Sequence, residues 1–382
     1  MIYFDNSATT APYPEVVETM REVLEQFYGN PSSLHKLGVQ AEKVLNQSRE
    51  LAAKLLGVQS TEVFFTSGAT ESNNTAIKGV AFQYQSRGKH IITSAIEHPA
   101  VFDVCKQLEA FGFETTILPV NGDGVVSVND LKAALRDDTI LVSIMHVNNE
   151  VGSIQPIQEI GQLLKQYPKI LFHVDGVQSF GKLKLSPKEW NIDLFSLSAH
   201  KFHGPKGTGL LFIRKGVNIM PLLAGGGQEG GLRAGTENIA GIVGMVKSMR
   251  MTLDKSKENP NHLSLLRAKL WDGLEKVEGC FMNSPRQGAP HILNVSLPGL
   301  KSEVVLHSLE EKGVFISTKS ACSSKVDQPS RILMAMGMGE ERAKSALRIS
   351  LSEQNTESEV NQFLTIFHEA VPQLRMMLKI RS

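Results

Sequence analysis

The chain has 382 residues, and its 40 Lys and Arg against 39 Asp and Glu give a formal net charge of +1. This balance excludes a global charge that would favour nucleic acid, an acidic membrane surface or another polyanion as a partner. The length allows a large core, and the 41% hydrophobic content is ordinary for a folded soluble protein.

The amino terminus and the cysteines bear on the compartment. The sequence MIYFDNSATT lacks the basic and apolar regions of a secretory signal, and no apolar run approaches the ~18 residues of a membrane span. Cys105, Cys280 and Cys322 are odd in number, far apart and without a CxxC pair, which argues against a disulfide framework and a structural metal site. We therefore expect a cytoplasmic protein without a metal ion, in which a free thiol can act as a reagent.

Strand and helix patterns alternate between residues 90 and 214. Apolar runs predict strands at 90–94, 113–120, 139–147, 170–175, 192–198 and 209–215, and amphipathic segments predict helices at 101–112, 130–138 and 157–167. This alternation indicates an α/β fold with a mostly parallel sheet that is covered on both faces. Such sheets bind ligands at the carboxyl ends of their strands. The polar residues expected there are Thr66, Ser67, His98, Asn148, Asn149, Asp175 and Ser198 to Lys201.

A polar stretch from Met251 to Asn261 predicts a boundary, followed by a smaller α+β unit. The last helix of that unit opens with Thr356 and Glu359 at the spacing of a capping box. Its apolar residues then recur on one face, at Val360, Phe363, Leu364 and Phe367. We predict a large domain at residues 13–255 and a small domain at residues 1–12 and 256–382, with a cysteine-containing loop at 319–331.

Two glycine-rich stretches are candidates for anion binding. In VFFTSGATESNN, residues 63–74, a strand runs through Ser-Gly-Ala-Thr into a helix, so backbone N–H groups and the Thr70 hydroxyl could face a phosphate. Plain capping by Ser67 or Thr70 explains the same pattern equally well. The second stretch, residues 225–236, permits close backbone approach but carries little information by itself.

Lys201 stands between His200 and His203 at the end of a predicted buried strand. A lone lysine there is more often a surface charge, but Asp175 ends the neighbouring strand and Gln178 follows it. An imine-forming lysine and a carboxylate that keeps a ring nitrogen protonated are what a pyridoxal cofactor requires. Asp175 taken alone fits a helix N-cap equally well.

Nine motifs along the chain carry a family resemblance: FDNSATT, GNPSSLHKLG, FTSGATESNN, EHPAV, SIMHVNNEVG, HVDGVQSFGK, SLSAHKFHGPKGTG, GGGQEGGLRAGTEN and SACSS. In this order and spacing the sequence resembles the cysteine desulfurases of the NifS/IscS type, in the class V aminotransferase group of pyridoxal phosphate enzymes. The resemblance implies the fold type I architecture, with a mostly parallel seven-stranded sheet in the large domain. It also implies bound pyridoxal 5'-phosphate and a homodimer.

The resemblance implies a role for each matching residue. Lys201 would carry the cofactor as an imine and take the α-proton of the substrate, whereas Lys206 in the next turn would be structural. Residues implied to bind the cofactor phosphate are Ala69, Thr70, Ser198, His200 and, from the other subunit, Thr236. Residues implied to contact the cofactor ring are His98, which would also transfer a proton, Asn149, Asp175 and Gln178. Arg348 would bind the substrate carboxylate together with Asn149, since a planar guanidinium suits that bidentate contact.

Cys322 lies in a polar stretch with small neighbours, typical of an exposed loop, whereas Cys105 and Cys280 are interpreted as buried filler. The resemblance implies that Cys322 attacks the sulfur of bound L-cysteine, giving L-alanine and a persulfide for an acceptor protein. Lys319 and Lys325 are near enough in sequence to lower the pKa of this thiol. The roughly ten residues after Cys322, at ~3.3 Å each, could carry the persulfide some tens of Å.

Several alternatives remain open. The acceptor could be an iron–sulfur scaffold or a tRNA-thiolation sulfurtransferase. By the same resemblance, the chain is expected to stop short of the C-terminal extension that housekeeping members use to contact the scaffold, so a dedicated role, such as supplying sulfur for tRNA thiolation or another cofactor, is a further hypothesis. A selenocysteine lyase or a small-amino-acid transaminase would share the fold, although Cys322 argues against the transaminase. A phosphate- or nucleotide-binding module is the third alternative, but it lacks a Walker A motif and leaves Lys201 and Asp175 unexplained.

Overall fold

A computed structural model describes residues 1–318 and 329–381, with side chains up to Met377. Its α-helices are α1 (Pro14–Gln26), α2 (Lys36–Leu56), α3 (Ala69–Tyr84), α4 (Pro99–Glu109), α5 (Val128–Ala134), α6 (Ile157–Leu164), α7 (Ile239–Glu258), α8 (His262–Leu274), α9 (Ser302–Glu310), α10 (Arg331–Ala335), α11 (Glu340–Lys344) and α12 (Glu357–Arg381). Its strands are β1 (Ile2–Tyr3), β2 (Val63–Thr66), β3 (His90–Ser94), β4 (Glu114–Leu118), β5 (Thr139–Met145), β6 (Leu171–Asp175), β7 (Leu194–Ser198), β8 (Gly209–Ile213), β9 (Phe281–Met282), β10 (Ile292–Ser296), β11 (Val314–Phe315) and β12 (Ala346–Ser350).

A seven-stranded sheet forms the centre, in the order β2-β8-β7-β6-β5-β3-β4. All neighbours pair in parallel except β8, which runs antiparallel to β2 and β7. Helices α2, α6 and α7 contribute to the apolar cluster on one face, and α3 and α4 contribute to the cluster on the other. The predicted fold class, α/β of the fold type I architecture with a mostly parallel seven-stranded sheet, is confirmed. Covering on both faces explains why β3, β5, β6, β7 and β8 are apolar runs rather than alternating patterns.

Smaller sheets are built from strands of the amino-terminal and carboxyl-terminal parts of the chain. Strand β10 pairs antiparallel with β9 and β12, and β1 pairs in parallel with β11, so that Ile2 lies opposite Val314. Phe4 from the amino terminus packs into the same apolar cluster as α8, α9 and α12. Helix α7 continues to Glu258, beyond the predicted boundary at 255. The division into two domains stays a prediction.

The start of α12 follows its sequence signals closely. The Thr356 N–H donates to Oε2 of Glu359 at 2.8 Å, and the Glu359 N–H donates to the Thr356 hydroxyl at 3.2 Å. This reciprocal pair is the predicted capping box, and it satisfies N–H groups that a helix start leaves unpaired. Val360, Phe363 and Phe367 are fully buried and Leu364 is partly buried, so the predicted apolar face is the packed one.

The described residues contain two cysteines and both have free thiols, with Cys105 buried and Cys280 partly buried. Within residues 1–318 and 329–381, no three His, Cys, Asp or Glu side chains are grouped closely enough to hold a metal ion. Over that same part of the chain, every helix falls short of the length or apolar character that a membrane crossing requires.

Candidate active site

A cavity of about 570 Å³ lies where β2, β3, β5, β6 and β7 end, at the carboxyl edge of the sheet. This position follows from the rule that open α/β sheets bind ligands at that edge. The predicted site residues that line it are Ala69, Thr70, His98, Asn149, Asp175, Gln178, Ser198, His200, Lys201 and Arg348. Thr236 is exposed and lines a separate cavity of about 100 Å³. Cys322, with Lys319 and Lys325, lies outside the described residues.

Asp175 is the last residue of β6 and is almost fully buried. Its Oδ2 accepts a 2.8 Å hydrogen bond from the Asn73 side-chain amide, and its Oδ1 accepts a 3.0 Å bond from the Val177 N–H. The two bonds fix the direction in which the carboxylate meets the cavity. Gln178 is tied down similarly, because its amide donates to the Ser7 carbonyl at 3.0 Å.

Lys201 closes a 3-10 turn, Ala199–Lys201, that directly follows β7. Its Nζ donates to the carbonyl oxygens of Ser7 and Ala8 at 2.6 and 2.8 Å. The Lys201 carbonyl accepts a 3.0 Å bond from Nζ of Lys182, which holds the turn from behind. The amine of Lys201 therefore lies beside Ser7 and Ala8, cavity residues that come from the amino-terminal segment.

The amino-terminal end of α3 forms one wall of the cavity. Gly68 precedes the helix with a φ of 154°, which favours glycine. Gly209 on β8 approaches so closely that an added Cβ would lie 2.6 Å from Cα of Gly68, so glycine is required there too. The backbone N–H groups at the start of α3 give this wall the character of an anion site.

His200 and Lys206 also line the cavity. Nδ1 of His200 lies 3.2 Å from the Thr9 hydroxyl oxygen. Burial, together with the smaller effect of the Lys201 and Lys206 charges, lowers the pKa of His200 to about 3, so its imidazole is neutral at pH 7. The sequence assigned a structural role to Lys206, but the structure brings it to the cavity wall, where its charge can act on an anion.

His98 is the N-cap of α4, and its Nδ1 accepts a 3.1 Å bond from the Ala100 N–H. This bond leaves Nε2 as the protonated nitrogen of the neutral ring. Burial lowers the pKa of His98, and the charge of Lys201 lowers it further, while Asp175 opposes both. The cavity therefore contains a neutral imidazole beside an amine and a carboxylate.

Arg348, on β12, is almost completely buried. Its Nη1 donates to the Asn149 carbonyl at 3.0 Å, and its Nη2 pairs with Oδ1 of Asp5 at 2.8 Å. Its Nε is buried and has no hydrogen-bond partner among the described residues. A buried guanidinium with a spare donor, on a cavity wall, is suited to binding a carboxylate ligand.

Sequence reasoning missed the residues that support these side chains. Asn73 orients Asp175, and Ser7 and Ala8 accept from Lys201. The signal was available, since all three lie within the motifs FDNSATT and FTSGATESNN. A motif does not say which of its residues face the cavity and which act through a neighbour.

The class-V aminotransferase family model matches residues 2–363. A relative from Methanosarcina thermophila named cysteine desulfurase IscS is 47% identical over 377 residues, covering 98% of this chain and 93% of that protein. A solved structure of a NifS-like protein superposes with a TM-score of 0.92 at 42% identity, covering 98% of this chain and all of that one. A structure of SspA in complex with cysteine superposes with a TM-score of 0.82 at 36% identity, covering 93% of this chain and all of that one. The chain therefore belongs to the class-V aminotransferase family, within its NifS/IscS group.

Proposed function

We propose that the protein is a pyridoxal phosphate-dependent cysteine desulfurase, which converts L-cysteine to L-alanine and transfers the sulfur as a persulfide. The observation that carries the proposal is that Lys201, Asp175 and Arg348 line one cavity. The names of the relatives, cysteine desulfurase IscS and SspA in complex with cysteine, support the choice of substrate.

The donor set of the cavity fits pyridoxal phosphate. Lys201 would hold its aldehyde carbon, Asp175 its ring nitrogen, and the start of α3 with Ser198 and His200 its phosphate. Remaining contacts would come from Ala69, Thr70, His98, Asn149 and Gln178. Two hydrogen bonds orient the Asp175 carboxylate toward the cavity, as a partner for the ring nitrogen requires. A phosphate-binding module would not need this carboxylate. When bound, the cofactor supplies an electron-accepting ring that stabilises the charge left on a substrate carbon after loss of its proton.

The side chains of this protein would bind the substrate, move the protons and accept the sulfur. Arg348 and Asn149 bind and orient the substrate carboxylate, and Nζ of Lys201 takes the α-proton. The neutral ring of His98 can move a proton at Nε2. Cys322 Sγ then forms a bond to the substrate sulfur while the substrate Cβ–S bond breaks. The electron pair of the broken Cβ–S bond stays with the carbon fragment. Protonation of that fragment gives L-alanine and leaves the persulfide on Cys322.

A homodimer is part of the proposal. Thr236 is exposed and does not line the cavity of its own chain, as expected for a residue that reaches the cofactor phosphate of another subunit. The preceding segment exposes three large apolar side chains, Met220, Leu222 and Leu223, at 43%, 39% and 42% of their surface. Apolar side chains exposed together are typical of an interface.

We further propose a cytoplasmic location and an acceptor protein that is either an iron–sulfur scaffold or a tRNA-thiolation sulfurtransferase. Both acceptors would take the persulfide sulfur from Cys322 by thiol exchange, so the same site serves either one. A selenocysteine lyase would use the same cavity, and the two activities are separated by comparing L-cysteine with L-selenocysteine.

The test is the visible spectrum of the purified protein, followed by L-alanine formation from each amino acid. We expect a cofactor band near ~420 nm that Lys201→Ala abolishes. Lys184→Ala is the matched control, since Lys184 is an exposed lysine paired with Glu189 at 2.9 Å. A colourless protein, or a band that persists in Lys201→Ala, would overturn the cofactor assignment. Alanine from L-selenocysteine alone would replace the desulfurase with the lyase.

A further inference from the structure

The backbone just before His98 is held by side chains at three successive carbonyl groups. The Arg331 guanidinium donates from Nη1 to the Ala95 oxygen and from Nη2 to the Glu97 oxygen. The Asn148 amide donates to the Ile96 oxygen between them at 2.9 Å. One arginine therefore supplies two of these three side-chain bonds to the carbonyl groups.

Arg331 is itself held firmly. Its guanidinium carbon lies 4.1 Å from the centre of the Phe102 ring, on the helix that His98 caps. Burial lowers the pKa of Arg331, while the nearby carboxyl groups of Glu150, Glu97 and Asp103 raise it. A planar fork that stacks on a ring and binds two carbonyls is a geometry that lysine does not reproduce.

The helix that begins at Arg331 is anchored on the same side of the molecule. Ser330 caps α10 and donates from its hydroxyl to Oε2 of Glu150 at 2.6 Å. Below these polar contacts, Ile332 and Leu333 pack in one apolar cluster with Ile96 and Met145. The start of α10 and the segment before His98 therefore form one packed unit, in which Arg331 has little freedom to move.

We propose that Arg331 is a positioning residue for His98, acting through the carbonyl groups of Ala95 and Glu97. Its importance for catalysis rests on the proposed function, in which His98 transfers a proton. Arg331 is the last residue of the predicted cysteine-containing loop at 319–331. Its bonds to the carbonyl groups before His98 therefore connect the end of that loop to the residue that would transfer a proton.

The charges around His98 give the direction of the expected effect. Burial is the largest influence and lowers the pKa of His98; the charges of Lys201 and Arg331 also lower it, and those of Asp175 and Asp103 raise it. Loss of Arg331 removes one positive charge and releases the carbonyl groups of Ala95 and Glu97, and we expect the released segment to bury the His98 ring less. Both changes raise the pKa of His98 toward its usual value.

The first experiment measures the pKa of His98 in the holoenzyme, from the NMR titration of its imidazole proton, assigned with His98→Asn. We expect Arg331→Met to raise this pKa and Arg331→Lys, which keeps the charge but not the fork, to raise it less. Arg342→Met is the matched control: Arg342 also binds a carbonyl, that of Met282, and lies 5.5 Å from the Phe281 ring, far along the chain from His98. It should leave the titration unchanged.

The second experiment is a double-mutant cycle on alanine formation. We expect Arg331→Met to lower kcat by about ten-fold, as part of the contribution that a proton-transfer group makes. In the His98→Asn background the same change should cost less than two-fold, on the order of the error of such cycles, because its effect passes through His98.

An unchanged His98 titration in a folded Arg331→Met protein would overturn the proposal, as would independent losses that multiply in the double variant. If Arg331→Met fails to fold, the Arg331→Lys titration decides in the same way. The titration does not depend on turnover, so a failure of the proposed desulfurase activity is distinguishable from a failure of the positioning role.

Discussion

The side-chain amide of Asn73 donates a 2.8 Å hydrogen bond to Oδ2 of Asp175, and both side chains are buried. Asn73 lies on α3, the helix whose first turn forms the cavity wall proposed to bind the cofactor phosphate. One helix therefore supports the two ends of the proposed cofactor, its phosphate and its ring nitrogen.

Asn73→Ala is expected to weaken cofactor binding by about 10- to 100-fold, because it removes a buried hydrogen bond to a charged group worth about 1.5–3 kcal/mol. The measurement is an absorbance titration of the apoprotein with pyridoxal phosphate. Asn74→Ala is the control, since the Asn74 side chain bonds only to the Thr70 carbonyl of its own helix among the described residues. Equal affinity in Asn73→Ala and wild type would contradict the supporting role.

Arg348→Lys is expected to raise the KM for L-cysteine by about 10- to 100-fold, since lysine keeps the charge but loses the bidentate contact with a carboxylate. The absorbance of the bound cofactor should not change. Asp5→Asn should raise KM less, because Asp5 orients the guanidinium through the 2.8 Å ion pair. Steady-state kinetics check both variants. An unchanged KM in Arg348→Lys would exclude Arg348 as the carboxylate-binding residue.

Much of the fold could be predicted because the central strands are buried on both faces. Strands β5, β6 and β7 are near-continuous apolar runs, and the carboxyl ends where they stop place Asn149, Asp175 and Lys201 together. The pairing of β1 with β11 could not be predicted, because two strands of two residues each carry no periodicity. The two strands are also separated by most of the chain.

Cys322 is expected to be the cysteine that iodoacetamide alkylates at pH 7.5, while Cys105 and Cys280 stay unmodified. Burial raises the pKa of both the Cys105 and Cys280 thiols to about 12, so neither is a thiolate at that pH. Mass spectrometry of the digested protein identifies the alkylated peptide, and Cys322→Ser provides the blank. Fast modification of Cys280 in the folded protein would show that this thiol is reactive after all.

Glu353→Gln is expected to destabilise the protein near neutral pH. Oε1 of Glu353 lies 3.0 Å from Nε2 of His203 and accepts a bond from the Tyr13 hydroxyl. Burial raises the pKa of Glu353, but His203, Tyr13 and the charge of Lys182 outweigh it and lower the pKa to about 2. The usual value is 4.5, so ionised Glu353 contributes on the order of 3 kcal/mol of stability at pH 7.

A lowered folded-state pKa gives stability that is present above pH 4.5 and is lost as the pH falls toward 2. The difference in free energy of unfolding between wild type and Glu353→Gln should therefore shrink below about pH 4.5. Urea unfolding at several pH values measures it. Glu340→Gln is the control, because Glu340 forms an exposed pair with Lys344 at 2.6 Å. A difference in free energy of unfolding that stays constant from pH 7 to pH 3 would show that ionised Glu353 does not stabilise the protein through His203 and Tyr13.

The candidate site was predictable where chemistry requires a residue type and unpredictable where only a position matters. Lys201 and Asp175 could be paired from the sequence because an imine-forming amine and a ring-nitrogen partner have few substitutes. The contacts of Arg331 could not, since they go to backbone carbonyls, which any sequence provides. Lys206 also lines the cavity, and its place there depends on the turn after Lys201 and not on its own identity.

Whether Cys322 takes the substrate sulfur is tested most directly by mass spectrometry of the Cys322 peptide after one turnover with L-cysteine. L-alanine is measured in the same sample. We expect one added sulfur atom on Cys322 for each L-alanine released, and neither product from Lys201→Ala. Cys322→Ala should keep the cofactor band and form no persulfide. Equal alanine release by wild type and Cys322→Ala, with no sulfur on Cys322 in the wild type, would contradict the claim that this thiol attacks the substrate sulfur.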